Sequence, residues 1–310
     1  MEERRIFIVA QGRDGVRLDI WLTQQMGAAM SRSRIQQLIR AGLVTVNTRR
    51  AKESHGTKAG ERIELCLPPP RPTGLKPENI PLEIIFEDNC LLVIDKPAGL
   101  VVHPAPGHDS GTLVNAVLHH CPTLAGVGGE LRPGIAHRLD KDTSGVIAVA
   151  KTGAALASLA AQFKERLVHK EYLAIARGVL TPPNGTIRTM IGRHATDRKK
   201  MSAAPKKGRS AVTRYETLEK FAKYSLVRLS PETGRTHQIR VHLAHARHPV
   251  VGDVCYGRRS TGDLPAGAER QMLHAHKIRF RHPATGRSME FSAPMPDDMA
   301  RFLDGLRRQG

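Results

Sequence analysis

The sequence predicts an α+β protein in two parts: a small unit of two helices followed by strands, then a larger domain on a mainly antiparallel, mixed β-sheet. Three observations carry this expectation. The run Pro68-Pro69-Pro70-Arg71-Pro72 can continue neither a helix nor a central strand, because proline lacks the amide donor and restricts its predecessor. Ahead of that break, helix-period segments come first and period-two segments second. Beyond it, strand-like runs outnumber helical ones and do not alternate with them regularly, which argues against a doubly wound parallel sheet. The expected division is 1–67 for the small α/β unit (its core about 17–67), 68–80 for a Pro-rich linker and 81–310 for the large domain.

In the small unit, RLDIWLTQQM sets Leu18, Trp21, Leu22 and Met26 on one helical face. Ser33 with Gln36 fits a capping box for a second helix that reaches Arg40, with Gly42 as its stop. LVTVN and RIELCL then alternate apolar and polar residues, the pattern of half-buried strands. Arg32, Arg34, Arg40, Arg49, Arg50 and Lys52 gather at the second helix and the turn after Asn47, where they either line a binding face or are simply solvated.

In the large domain, LEIIFED, LLVIDKPAG, GVIAVAK, EYLAIARGVL, VTRYETLEKF and YSLVRLSPETG read as strands. TLVNAVLHH, AALASLAAQFKERL, THQIRVHLAHAR and DDMARFLDGLRRQ read as helices. The segment GRHATDRKKMSAAPKKGRS holds Arg193, Arg198, Lys199, Lys200, Lys206, Lys207 and Arg209 against the single acid Asp197. Its Gly and Pro content suggests a loop that orders on a phosphate backbone, with a solvated charge run as the alternative.

The chain has 310 residues and a 40% apolar fraction, enough for ordinary cores. The apolar run Ile6 to Ala10 is too short for a signal peptide, and no stretch approaches the roughly 18 apolar residues of a membrane helix, so neither secretion nor a membrane partner is expected. Cys66, Cys90, Cys121 and Cys255 lie far apart without a C-x-x-C pair, which suggests neither a zinc cluster nor a disulfide framework and fits a reduced cytoplasm. A monomer is the default expectation. A formal charge of +19 attracts polyanions, and with 4% aromatic residues recognition of backbone and shape is favoured over stacking along a single strand.

The most informative string is GIAHRLDKDTSGVIAVAK, residues 134 to 151, where Asp140 sits on a polar turn before a buried strand. Asp140-x-Asp142-x-Ser144-Gly145 mimics the start of a calcium loop, but its twelfth position is Lys151 in place of a bidentate glutamate. His137-Arg138 before Asp140 suggests a kinase catalytic loop, yet the spacing is off by one and no D-F-G follows. By default such an aspartate caps a turn. In PETGRTHQIRVHLAHARHPVVGD, His237, His242 and His245 are spaced five and three apart, unsuited to a two-histidine metal face; Arg235 and Arg240 supply cations.

Taken together, HRLDKDTSG, HKEYLA and GRTHQIRVH, in that order and separation, resemble the signature motifs of the RluA family of pseudouridine synthases, and VIDKPAGLVVHPAPGH and HPVVGDVCYG extend the likeness over about residues 80 to 295. Residues 17 to 67 resemble the small RNA-binding domain first known from ribosomal protein S4. The pattern is closest to the subtype that acts on a stem-loop of large-subunit (23S) ribosomal RNA. The resemblance implies a pseudouridine synthase fold, an isomerase without cofactor or metal, and ribosomal RNA, free or in a preribosomal large subunit, as partner. It makes Asp140 the essential carboxylate, Tyr172 the active-site tyrosine and Arg235 the cation paired with the carboxylate. Arg138 would fill the space left by a flipped nucleotide, Ile239 would wall the uracil, and His137 and Arg240 join them at the substrate. Arg32, Arg34, Arg40, Arg193, Arg198, Lys199, Lys200, Lys206 and Lys207 would meet RNA.

The chemistry fits these groups. Pseudouridine formation detaches uracil from ribose, turns it and rejoins it through carbon 5, work for a carboxylate that either attacks or removes a proton. A neighbouring guanidinium keeps such a group charged out of water. Two rivals follow from the residues alone. One is a non-catalytic RNA-binding factor in ribosome assembly; the other is a base methyltransferase, against which stands the lack of a glycine fingerprint after a strand, since Gly126, Gly128 and Gly129 lie in a Pro-bounded loop.

Overall fold

The computed structural model describes residues 3–309 apart from 13, 28–29, 31, 68–73, 106, 125, 129–131, 198–199 and 258–266. The first strand, β1 (Glu3–Ile8), follows no alternation the sequence reading detected; it pairs antiparallel with β4 (Arg62–Leu67). With β2 (Val44–Val46) and β3 (Arg49–Arg50) these make a four-stranded sheet in the order β1-β4-β2-β3. Helices α1 (Leu18–Met26) and α2 (Arg32–Arg40) lie on it, and Leu18, Trp21, Leu22, Ile35, Leu38, Val44, Ile63 and Leu65 close a core of their own.

One local expectation is corrected here, and one expected RNA contact is found engaged within the unit. Helix α2 starts at Arg32, so Ser33 lies inside its first turn, and the Gln36 amide donates to Asp19 Oδ2 (2.7 Å) rather than folding back on a cap. Arg32, expected on an RNA-facing surface, donates to the same carboxylate at 2.8 Å, and Arg17 joins it at 3.1 Å. Burial alone would raise the Asp19 pKa; the hydrogen bonds from Arg17, Gln36 and Arg32 outweigh it and hold the carboxyl well below the usual range. A buried anion needs such partners, and the nearest cation on α2 is recruited to fasten the two helices. Gly42 ends α2 as expected, at φ 74°.

The large domain carries a ten-stranded sheet. Its strands are β5 (Glu83–Glu87), β6 (Leu91–Lys96), β7 (Ser144–Ala150), β8 (His169–Arg177), β9 (Asn184–Arg193), β10 (Met201–Ser202), β11 (Arg209–Lys220), β12 (Tyr224–Pro231), β13 (Leu273–Arg281) and β14 (Ser288–Ser292). They run in the order β10-β9-β11-β12-β8-β13-β7-β6-β5, with β14 beside β13. Every pairing is antiparallel except β13 with β7, so the sheet is mixed and mainly antiparallel, as the sequence predicts. At the parallel junction Gly145 (φ 112°) comes so close to β13 that a Cβ would lie 2.2 Å from the Ala275 carbonyl oxygen.

Helices α3 (Leu113–His120), α5 (Gln238–His245) and α6 (Asp297–Arg307) fall within segments read as helical, and α4 (Gly153–Lys164) starts one residue before its segment. β8 is buried on both faces: Ala174 and Ala176 pack on Ile239 and Leu243 of α5, Leu173 and Ile175 on Met299 and Leu303 of α6. Each of the Leu, Ile and Met side chains contributes about 1.5–3 kcal/mol by leaving water, the alanines less, which pins α5 over the central strands. The basic segment 192–210 is less of a loop than expected: Met201 and Ser202 pair with Arg193 and Gly192, and β11 begins at Arg209. No helix among the described residues is long and apolar enough to cross a membrane.

Candidate active site

Between the loop 132–143, the end of α4, the start of β8 and the loop leading into α5 lies a cleft of about 630 Å³. Asp140, Tyr172, Arg138, His137, Ile239, Arg235 and Arg240 all line it, so the fold collects residues up to about 100 positions apart in one place.

Asp140 is half-buried on a turn closed by the Thr143 amide, which donates to the Asp140 carbonyl at 3.1 Å. That turn is held from below by residues the sequence reading did not single out. The ammonium of Lys96, fully buried at the end of β6, donates to the carbonyls of Pro97 (2.7 Å), Leu100 (2.9 Å) and Lys141 (3.0 Å). Burial pushes its pKa down to about 7, partly offset by Asp142. Arg270 donates to the Asp142 carbonyl at 3.0 Å, and Gln271 to the Thr143 hydroxyl at 2.8 Å. Apolar packing of Leu139 completes the anchor.

The carboxylate of Asp140 meets Arg240, which donates from Nη1 to Oδ2 at 3.0 Å. Arg235, expected as its partner, runs elsewhere: its Nε donates to the Ser210 carbonyl at 3.2 Å. The reason is the way the chain enters α5. The Gln238 side chain, buried, accepts from the Arg235 amide and the Thr233 hydroxyl and donates to Val212 and Thr213 of β11, which ties residues 233–235 to that strand. The chain then turns at His237 (φ 55°), and the first cation on the helix itself, Arg240, faces Asp140. Arg240 is also held by a two-pronged pair to Asp253, at 2.7 and 2.9 Å, and lies 5.1 Å over the Tyr256 ring. Burial would lower its pKa, but the two carboxylates more than reverse that, so it stays charged. His237 sits 3.8 Å from the other oxygen of Asp140, with its Nδ1 2.8 Å from the Tyr256 hydroxyl. Burial holds its ring below the usual histidine pKa.

Tyr172 is half-buried at the cleft floor, and burial together with the Asp140 charge drives its pKa up, so it acts as a phenol. The His137 ring stacks on Phe163 at 4.7 Å and its Nε2 accepts the Ala148 amide at 3.0 Å; burial and then Lys170 push its pKa down to about 3. It therefore braces the loop as a neutral ring and presents only its remaining edge to the cleft. Arg138 is exposed at the cleft and Ile239 buried in its wall. His242 serves packing: its two nitrogens lie 2.8 and 3.0 Å from the hydroxyls of Thr213 and Thr189. Of the residues expected to meet RNA, Arg34, Arg40, Arg193, Lys206 and Lys207 are exposed and Lys200 half-buried. Arg40 is paired with Glu53 and Lys200 lies 3.9 Å from Asp197. Arg198 and Lys199 lie outside the described residues.

Asp88, Cys90 and His282 form the one group among the described residues compact enough to hold a metal ion. His282 Nε2 is 2.7 Å from Asp88 Oδ2 while its Nδ1 accepts the Ala284 and Thr285 amides in the β13–β14 turn, and Asp88 Oδ1 accepts the Cys90 and Leu91 amides in the β5–β6 turn, so these side chains already close and join two turns. Asp253, Tyr256 and Lys96 escaped notice in the sequence although they stand in HPVVGDVCYG and VIDKPAG; only the folded chain reveals that an acid 13 residues after Arg240 is its partner.

Residues 90–245 match the RNA pseudouridylate synthase family and residues 16–63 the S4 domain. The ribosomal large subunit pseudouridine synthase D of Haemophilus influenzae is 43% identical over 94% of this chain and 92% of its own length. An RNA pseudouridine synthase of Synechocystis is 46% identical over 97% of this chain and 92% of its own. Among solved structures, human RNA pseudouridylate synthase domain containing 4 superposes with a TM-score of 0.58 at 28% identity, over 73% of this chain and 93% of that one. With a carboxylate held in a basic cleft by a mixed, mainly antiparallel sheet, and an S4 domain ahead of it, the chain belongs to the RNA pseudouridylate synthase family.

Proposed function

We propose that the protein isomerises specific uridines to pseudouridine in large-subunit (23S) ribosomal RNA, with Asp140 as the reacting carboxylate. The observation that carries this reading is a single one: a carboxylate on a rigid turn inside a cleft, with one oxygen engaged by the buried Arg240 at 3.0 Å. The other oxygen is left for substrate. The bond from uracil N1 to ribose C1′ breaks, C5 bonds to C1′, the proton on C5 leaves and N1 gains one. Asp140 either attacks C1′ or takes the proton from C2′, and both routes need an ionised carboxylate whose position does not drift. Tyr172 offers its ring to the base and a neutral hydroxyl near C5. Ile239 walls the uracil, and Arg138, exposed at the cleft, fills the stack that a flipped nucleotide vacates at a cost of a few kcal/mol.

Residues 1–67 would select the RNA shape, 68–80 link, and 81–310 perform the reaction. Phosphates would be met by Arg34 and Arg40 on the small unit and by Arg193, Lys200, Lys206 and Lys207 on the β9 to β11 edge. The relatives named ribosomal large subunit pseudouridine synthase D support ribosomal RNA as that substrate; we further propose that the RNA is free or in a preribosomal particle and that the enzyme is a monomer of the cytoplasm. The test is tritium release from ribosomal RNA labelled at uracil C5, without added cofactor or metal, for the native chain and Asp140→Asn. Release by the native chain alone is expected. Release by neither, on free RNA and on immature subunits, would favour a non-catalytic RNA-binding factor.

A further inference from the structure

β8 and β12 pair from Tyr224 opposite Arg177 to Leu229 opposite Tyr172 and then part. Beyond that point the start of β8 stays with β13, Lys170 opposite Ile278 and His169 opposite Arg279, while the end of β12 stays with β11, Ser230 opposite Arg214 and Pro231 opposite Thr213. The sheet forks. A second cleft of about 570 Å³ opens at the fork, and Arg166, Val168, Lys170, Pro231 and Glu232 line both it and the cleft of Asp140. A chain lying across the target site thus has a continuous way out.

The charge at this fork is unbalanced. The acids lining the second cleft are already engaged: Glu232 with Arg214 at 2.7 Å, Glu171 with Arg228 at 3.5 Å, Glu290 with Lys277 at 4.0 Å. Among the described residues no carboxylate pairs with Arg166, Lys170 or Arg279. Lys170 is half-buried, its ammonium 6.0 Å above the Phe163 ring, and burial without an opposing charge pushes its pKa down to about 8. Arg166 follows α4 at φ 61°, a left-handed conformation that glycine adopts more cheaply, so the position keeps an exposed arginine where the backbone alone would favour glycine.

We infer that Arg166 and Lys170 form a phosphate clamp at the fork, binding the RNA backbone beside the target nucleotide and leading the strand from the Asp140 cleft toward Arg279. This deepens, and rests on, the reading of the protein as an RNA uridine isomerase. A phosphodiester suits the two groups: an arginine engages two phosphate oxygens, a lysine adds a point charge, and an ammonium short of partners gains one without displacing a protein carboxylate.

The experiment uses the full chain with Arg166→Gly, Lys170→Met and the pair, with Arg308→Ala, an exposed cation just past the end of α6, as control. Filter binding of transcribed large-subunit ribosomal RNA is followed from about 50 to 200 mM salt, alongside single-turnover tritium release from the same RNA labelled at uracil C5. Each fork substitution is expected to reduce the slope of log affinity against log salt by about 0.7–0.9, and Arg308→Ala to leave it unchanged. The pair should weaken binding about tenfold or more while the rate at saturating enzyme stays within about threefold of the native value. Arg166→Gly removes the charge at a backbone position glycine accepts, so misfolding does not confound it. Native salt slopes in both variants would overturn the clamp, as would a loss confined to the saturating rate. A native chain that binds but releases no tritium would instead sink the functional reading, with the slopes still deciding the clamp.

Discussion

Replacing Arg240 with methionine separates what this residue does for the fold from what it does for Asp140. Arg240 is 7% exposed, and its guanidinium is shared by two carboxylates, Asp253 at 2.7 and 2.9 Å and Asp140 at 3.0 Å. Its loss leaves the fully buried Asp253 side chain as an uncompensated charge, a change that costs about 3–5 kcal/mol. Asp253 Oδ1 also accepts the amides of Cys255 (2.9 Å) and Tyr256 (3.1 Å), which asparagine at that position can still satisfy. Arg240→Met with Asp253→Asn therefore removes both charges, keeps those acceptors and should recover stability to within about 1–2 kcal/mol of native. Activity should not follow. A hydrogen bond to a charged group is worth about 1.5–3 kcal/mol, so both variants should lose about 10- to 150-fold in the single-turnover rate. Urea unfolding supplies the first quantity and tritium release the second. A double variant with native activity would refute the claim that Arg240 holds Asp140, and a single variant as stable as the double would refute the buried-charge argument.

Tyr172→Phe keeps the ring and removes the hydroxyl; single-turnover release should fall about 100-fold or more with RNA affinity unchanged, whereas an equal rate would leave the ring alone at work. Four histidines are held neutral by burial, His137 with its pKa down to about 3 and His103, His242 and His274 to about 4. The unfolded chain takes up these protons first as pH falls below about 6.5, so each lowers stability by up to about 1.4 kcal/mol per pH unit down to its folded value. Urea midpoints at pH 7.5, 6.5, 5.5 and 4.5, buffers spanning that window, should fall steeply only below the second; a flat profile would contradict it. Alanine at Lys199, Lys200, Lys206 and Lys207 should weaken RNA binding and flatten its salt slope by about 0.7–0.9 for each phosphate no longer neutralised, with the chemical step intact; an unchanged slope would remove this segment from the RNA surface.

Periodicity located most of the elements, because it reports which face of a segment avoids water. It found both helices of the small unit, the four helices of the large domain and strands such as β7, whose residues Ser144–Ala150 are all buried. It missed β9 and β13. In LHAHKIRFR, strand β13, the buried His274 bonds with Ser144 and the Ala293 carbonyl, so a polar residue occupies a core position that alternation reads as a break. It missed β1 as well, where Ile6 and Ile8 are 55% and 60% exposed and pairing to β4, not burial, makes the strand.

The site divides along the same line. The resemblance carried by three short motifs implied Asp140, Tyr172, Arg138 and Ile239, and all four line one cleft. Which cation meets the carboxylate was not legible: Arg235 and Arg240 stand five positions apart in one string, and only the binding of Gln238 to β11 turns one away and the other inward. The supports lie farther still, Lys96 from 45 positions before Lys141 and Arg270 from 128 after Asp142. By itself the sequence determined which chemical groups the protein possesses and which segments shun water. Tertiary structure decided which buried charge is answered by which partner, because that choice depends on distances of a few ångströms between strands that chain position does not encode.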